Sequence, residues 1–104
     1  MTEQKENKIQ EMQMIEQNLQ NLLYQKQAFQ MELSETQSAL REIEKSGEEV
    51  FKIIGQLMIK TEKEKVKEEL KNKEKLLNLR TKSIEKQETS LAEKAEELRK
   101  EVLE

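Results

Sequence analysis

The chain has 104 residues, of which 39% are charged and only 34% hydrophobic, with two Phe, one Tyr and no Trp. This composition is too polar for a compact globular core, so the apolar groups are expected to lie in stripes. Pro is absent and every acidic residue is Glu, which favours helix. Long helices with a thin apolar seam are therefore predicted.

Several classes of chemistry are excluded by what the sequence lacks. The absence of His and Cys removes zinc clusters, imidazole bases, thiol nucleophiles and disulfides. There is no Gly-rich phosphate loop and no basic stripe, which argues against nucleotide and nucleic-acid partners. There is also no apolar run that spans a bilayer and no basic-then-apolar amino terminus. We expect a cytoplasmic protein without a cofactor, a metal or an enzymatic activity, and without contact to membranes.

The first long helix is predicted within residues 1–47. An uninterrupted alternation of three and four residues marks a heptad seam, in which eight of ten positions are apolar, as in a coiled coil. Lys45, Ser46 and Gly47 then place a basic residue and a permissive residue at a helix end. The seam positions are Met12, Ile15, Leu19, Leu22, Lys26, Phe29, Leu33, Thr36, Leu40 and Ile43.

The second long helix is predicted within residues 62–104, opened by a capping box of Thr61 and Glu64. One seam line recurs every seven residues, at Leu70, Leu77, Ile84, Leu91 and Leu98. We assign the other line, apart from Val66, to long polar side chains whose methylene stems cover apolar surface. Its members are Val66, Lys73, Arg80, Gln87 and Lys94.

An antiparallel return is the economical arrangement of the two helices, since each extends about 60 Å at 1.5 Å per residue. In the predicted pairing Ile43 lies near Val66, Phe29 opposite Arg80, and Met12 near Leu98. All 104 residues are then one subunit, with a short connection at residues 48–61.

Residues 48–61 break the helical pattern and predict a β-hairpin. Ile54, Gly55 and Gln56 supply the turn between two strands of about four residues each. A lone hairpin is marginal in water, and here apolar residues fall on both faces, which predicts association with other chains. The predicted interface consists of Val50, Phe51, Ile53, Ile54, Leu57, Met58 and Ile59.

The free ends of the two helices carry a further group of apolar side chains. Flexible Met and aliphatic groups at a fraying coiled-coil tip are suited to adaptable contact with many apolar partners. An equally weighted alternative is that they only continue the seam. The candidate binding residues are Ile9, Met12, Met14, Leu98, Val102 and Leu103.

Several short sequence segments, in their order around one hairpin, resemble the β class of the prefoldin family. The resemblance covers essentially the whole chain. A single hairpin indicates the β class, because α-class subunits carry two. The matching positions are Gln25-Lys26-Gln27, Glu35-Thr36-Gln37-Ser38-Ala39-Leu40, Val50-Phe51-Lys52-Ile53-Ile54-Gly55, Leu57-Met58-Ile59-Lys60, Arg80 and Ile84-Glu85-Lys86-Gln87-Glu88.

The resemblance implies a mainly α fold, a long antiparallel two-helix coiled coil whose hairpin joins others in an oligomeric β-barrel. The implied assembly is a hexamer of two α-class and four β-class subunits. It implies an archaeal-type, ATP-independent holdase that captures unfolded polypeptides at the coiled-coil tips and delivers them to a group II chaperonin. The hairpin residues named above are then the assembly interface, and the tip residues are the client contacts.

Two other functions are compatible with parts of the pattern. A structural coiled-coil oligomerisation protein needs the seam but no client binding and no hairpin. An RNA-polymerase channel factor would place acidic residues such as Glu48 and Glu49 on a metal ion, but it needs a second domain for which no residues remain. In this chain, Glu pairs are more simply explained as solvated surface.

Overall fold

The computed structural model describes residues 2–104, which form two long helices and one antiparallel hairpin. Helix α1 spans Glu3–Lys45, strand β1 Glu49–Ile54, strand β2 Leu57–Glu62 and helix α2 Lys63–Leu103. This confirms the predicted mainly α class with a single hairpin. No helix among the described residues is long and apolar enough to cross a membrane.

The fold divides into two compact units, and both helices contribute to each. One unit combines the chain up to Ala28 with Thr81–Glu104, and the other is Phe29–Arg80. The second unit contains the hairpin. In each unit α1 and α2 pack side by side in opposite directions, so the seam is described for each unit separately.

The seam predicted for α1 is confirmed. All ten of its positions from Met12 to Ile43 are buried or half-buried, which is the result of their average spacing of about 3.5 residues. Thr36 is one of the least exposed, and its hydroxyl donates a hydrogen bond of 2.8 Å to the carbonyl of Glu32. This bond satisfies a polar group that would otherwise be costly to bury.

The seam of α2 is confirmed on one line and wrong on the other. Leu70, Leu77, Ile84, Leu91 and Leu98 are buried or half-buried as predicted. Apart from Val66, which is half-buried, the assigned second line is exposed, because the step after each apolar residue is four residues and not three. The exposed residues are Lys73, Arg80, Gln87 and Lys94, and the residues that replace them in the seam are Glu74, Thr81, Glu88 and Ala95.

Contacts beside the seam show which residues of α1 and α2 lie opposite each other within each unit. In the unit Phe29–Arg80, the Arg80 guanidinium lies 5.9 Å from the centre of the Phe29 ring, which confirms their predicted opposition. In the other unit, Lys94 and Glu11 form an ion pair of 2.9 Å. Such exposed pairs contribute about 0–1 kcal/mol each, so they mark the register more than they stabilise it.

Both ends of α1 have side-chain partners. The Thr2 hydroxyl accepts a hydrogen bond of 3.2 Å from the amide of Lys5, as at a helix N-cap. At the other end, the Ser46 hydroxyl donates to the carbonyl of Ile43 at 2.7 Å. The ammonium group of Lys63 donates to the carbonyl of Ser46 at 3.1 Å. The side chain of the first residue of α2 therefore stabilises the end of α1.

The hairpin is longer than predicted. Each strand has six residues, and pairing runs from Glu49 opposite Glu62 to Ile54 opposite Leu57. Gly55 has a φ of +59° and is the one described residue with a positive φ, as expected at the first central position of a type II′ turn.

The predicted capping box is wrong. Thr61 lies in β2 opposite Val50, and α2 begins only at Lys63. Pairing in the ladder therefore takes precedence over capping at Thr61. The amide of Lys63 instead donates to the carbonyl of Glu48 at 3.0 Å, which extends the ladder to the start of the helix.

Candidate functional site

One face of the hairpin carries three exposed apolar residues near the turn and charged residues at its base. Residues opposite each other in an antiparallel ladder share a face, which places Phe51 beside Ile53 and Met58. These three side chains are between 62% and 70% exposed. At the base of this face, Lys60 and Glu49 form an ion pair of 3.0 Å.

The other face is also apolar, and one ion pair connects it to α2. It carries Ile54, Leu57 and Ile59, all exposed. The ammonium nitrogen of Lys52 lies 2.7 Å from a carboxylate oxygen of Glu69. This hydrogen bond, with the positive charge of Lys52, holds the pKa of Glu69 below its ordinary value. The pair connects the hairpin to the first turns of α2.

The two faces and the two outer edges form one unsatisfied surface, which we call the hairpin surface. Within residues 2–104 the sheet has only two strands, so each strand has one edge without a backbone partner. Exposed apolar side chains next to open strand edges favour pairing with another chain. The seven residues predicted for the interface all lie on this surface, with Val50 half-buried and the other six exposed.

A second surface lies where the start of α1 meets the end of α2. Here the structure forms a groove of about 290 Å³, which we call the terminal groove. Four of the six residues predicted to bind apolar partners line it, namely Ile9, Met12, Val102 and Leu103. It does not bring in the other two: Met14 is exposed outside the lining, and Leu98 is buried in the seam with 8% exposure.

Polar residues outside the predicted set complete the terminal groove. Gln13, Glu16 and Arg99 line it, and the guanidinium of Arg99 binds both carboxylate oxygens of Glu96, at 2.5 and 3.0 Å. These hydrogen bonds raise the pKa of Arg99 and lower that of Glu96. The spacing of three residues between Glu96 and Arg99 was the available signal for this pair.

In the described part of the chain, acidic residues do not gather into a metal site. No group of three or more carboxylates is close enough to hold an ion. Glu49, one of the two residues that an RNA-polymerase factor would use, is paired with Lys60. The hairpin surface is suited to apolar contact and strand pairing, and the terminal groove to apolar contact.

Two long helices, one two-stranded hairpin with exposed apolar faces and an apolar groove at the helix ends define a class of coiled-coil assembly subunit. The family model described as "Prefoldin subunit" matches residues 6–104. The chain is 46% identical over 85 residues to prefoldin subunit beta of Thermococcus onnurineus, covering 80% of this chain and 73% of the relative. For the same subunit of Pyrococcus furiosus the identity is 41%, with the same coverage.

A solved structure agrees with these relatives. The crystal structure of the prefoldin beta subunit from Thermococcus strain KS-1 superposes with a TM-score of 0.89 at 37% identity. The match covers 97% of this chain and 90% of that one. The chain belongs to the prefoldin family and is a subunit of its archaeal β type.

Proposed function

We propose that this chain is an ATP-independent holdase subunit that binds unfolded polypeptides in the terminal groove and delivers them to a group II chaperonin in the cytoplasm. Membership of the prefoldin family supports a chaperone-type role. The observation that carries the proposal is the terminal groove, where four apolar side chains converge at the helix ends. No enzymatic activity is part of the proposal.

The hairpin surface is proposed to assemble the complex. In this proposal two α-class and four β-class chains form a hexamer whose hairpins close into a β-barrel. Closure would pair the open strand edges and cover the apolar faces that a single chain exposes. The seven hairpin residues named above act as the interface, and the exposed ion pair of Lys52 with Glu69 connects the hairpin to its helix.

Client binding is proposed to use weak contacts from several subunits at once. Met12 and its aliphatic neighbours adapt to different apolar segments, because Met has three flexible bonds and a polarizable sulfur. Linked weak sites raise the overall avidity while each contact still releases quickly. Met14 adds an exposed contact beside the groove. Leu98 lies in the seam and reaches a client only where the helices separate locally.

Assembly is tested by mixing the chain with an α-class subunit and weighing the complex by native mass spectrometry. Ile53→Glu places a charge on an apolar face and is expected to yield helical monomers. Gln56→Glu, at the exposed turn, is the matched control and is expected to leave the hexamer intact. An unchanged hexamer for Ile53→Glu contradicts the proposed interface.

Client binding is tested on the assembled complex with thermally unfolded citrate synthase as the client. Replacing Ile9, Met12, Val102 and Leu103 with Ser is expected to abolish suppression of aggregation without changing the mass of the complex. Tyr24→Ser with Met31→Ser removes exposed side chains elsewhere on α1 and serves as the control. Full suppression by the groove variant contradicts the client site. A complex that assembles but never suppresses aggregation favours the structural coiled-coil alternative.

A further inference from the structure

Two leucines of α2 face outward, away from the seam. Leu76 and Leu79 are 46% and 65% exposed, whereas the seam uses Glu74 and Leu77 beside them. Apart from Leu103 at the helix end, they are the exposed large apolar residues of α2 in the described chain. Neither the pairing of the helices nor the hairpin surface accounts for them.

Basic side chains surround these leucines. Residues 71–80 hold four basic residues and a single Glu, a local excess of three positive charges in a chain whose net charge is −3. The single Glu is Glu74, which lies half-buried in the seam. Leu76 and Leu79, with Lys73, Lys75 and Arg80, form a surface that we call the basic leucine patch.

The cations of the patch are available for a partner. Lys75 is exposed and forms no ion pair with any other residue among 2–104. Lys73 reaches Glu32 at 3.3 Å, but both of these side chains are about half exposed. Arg80 covers the ring of Phe29 and still lies at the surface. The patch therefore presents a positive field around an apolar centre.

We propose that the basic leucine patch docks an acidic segment of another protein, in which carboxylates flank apolar side chains. Charge complementarity selects such a partner and orients it, and covering the leucines contributes the apolar part of the binding. A nucleic acid would neutralise the cations without covering the leucines. A membrane surface favours a broad apolar helix face, whereas the patch offers two side chains. The patch shares no residue with the terminal groove, so it is tested independently of client binding.

The natural absence of Cys allows a single fluorophore to be placed beside the patch. Asn72→Cys, at an exposed position four residues before Leu76, is labelled in the assembled complex. It is titrated with a synthetic amphipathic peptide of Glu and Leu, and with the same peptide in which Lys replaces Glu. Saturable binding of the acidic peptide alone, weakened by salt, is the expected result.

Variants assign the binding to the patch. Leu76→Gln with Leu79→Gln is expected to weaken binding of the acidic peptide by about tenfold or more. The same loss of binding is expected for Lys73→Gln with Lys75→Gln. Met31→Gln, an exposed apolar residue of α1 in the same unit, is the control and leaves binding unchanged. The terminal-groove Ser variant also retains binding. If the leucine variant loses helix content, the lysine variant decides alone.

Several results overturn the proposal. They are equal binding of the Lys peptide, no effect of the lysine variant, stronger binding of single-stranded DNA or of phosphatidylserine vesicles than of the acidic peptide, and loss of peptide binding in the terminal-groove variant. Self-association of the complexes through the patch, seen by sedimentation and abolished by the leucine variant, would likewise overturn it.

Discussion

The ammonium nitrogen of Lys26 lies 2.8 Å from a carboxylate oxygen of Glu88, and the two side chains are only 22% and 21% exposed. Both residues occupy seam positions between α1 and α2, where the heptad pattern favours apolar side chains. A slip of the helices along each other would separate these half-buried charges. The pair therefore specifies the register at this layer more than it adds stability.

Breaking this pair on one side is expected to be costly, and replacing both residues is not. Lys26→Met leaves Glu88 half-buried without its partner and is expected to lower the free energy of unfolding by about 1–3 kcal/mol. Lys26→Met with Glu88→Leu restores most of the loss. Helix content at 222 nm during urea unfolding, at fixed subunit concentration, measures both. Lys94→Met, which breaks the exposed pair with Glu11, is the control. Equal losses in the single and double variants would contradict this account.

The two glycines differ in what they permit. Gly55 has a φ of +59° and Gly47 lies outside the left-handed region, while a Cβ at either position would meet no atom within 4 Å. Gly55→Ala is therefore expected to cost about 1–2 kcal/mol from backbone strain alone. Gly47→Ala is expected to be neutral or slightly stabilising. The thermal midpoint of the assembled complex compares them, and similar midpoints would mean that the turn relaxes without strain.

The contact of Lys63 with the end of α1 is expected to stabilise the junction between helix and hairpin. Its ammonium group donates to the carbonyls of Glu44 at 3.4 Å and Ser46 at 3.1 Å. Lys63→Met is expected to lower the free energy of unfolding by about 0.5–1.5 kcal/mol. Lys65→Met removes an exposed cation two residues further on and is the control. Faster hydrogen exchange at the end of α1 in Lys63→Met alone would locate the effect there, and equal exchange in both variants would refute it.

Acid is expected to weaken the unit that contains the hairpin. A hydrogen bond from Lys67, helped by its charge, holds the pKa of Glu44 below its ordinary value of 4.5, and this outweighs the opposing effect of desolvation. The unfolded chain then binds more protons than the folded one, so stability falls as the pH drops below about 4.5. Glu44→Gln is expected to flatten this dependence, whereas Glu42→Gln, exposed on the same turn, keeps it. Acid titration of helix content at 222 nm measures the slope, and identical slopes in the two variants would exclude a role for this carboxyl group.

The α1 seam was predictable because both of its lines carry mostly apolar residues. Only one assignment of heptad positions fits such a pattern. In α2 only the line through Leu77 and Ile84 is apolar. The residues three positions and four positions after each apolar residue of this line are both mostly polar. Composition therefore does not distinguish which of them enters the seam. We assigned Arg80 to the seam, and the structure places Thr81 there instead. The choice depends on how α2 is rotated against α1, which the periodicity of α2 taken alone does not specify.

In the hairpin and the candidate surfaces, too, one part of the arrangement was predictable from the sequence and another part was not. Gly55 and the apolar run around it predict a turn between two strands, but pairing extends each strand to polar residues such as Glu49 and Glu62. The terminal groove contains four predicted residues and also Arg99, whose position depends on its bond to Glu96. Leu98 belongs both to the predicted seam and to the predicted binding group, and packing places it in the seam.

The sequence by itself determined the class of this protein: two heptad helices, one glycine turn and no residues for catalysis by imidazole or thiol. It did so because periodicity and composition are local properties. The tertiary structure decided which polar side chains enter the seam, which strand ends pair, and which apolar groups at the helix ends share a groove. These are outcomes of contact between segments far apart in the chain, such as Lys26 with Glu88, where the geometry of one helix selects residues of the other.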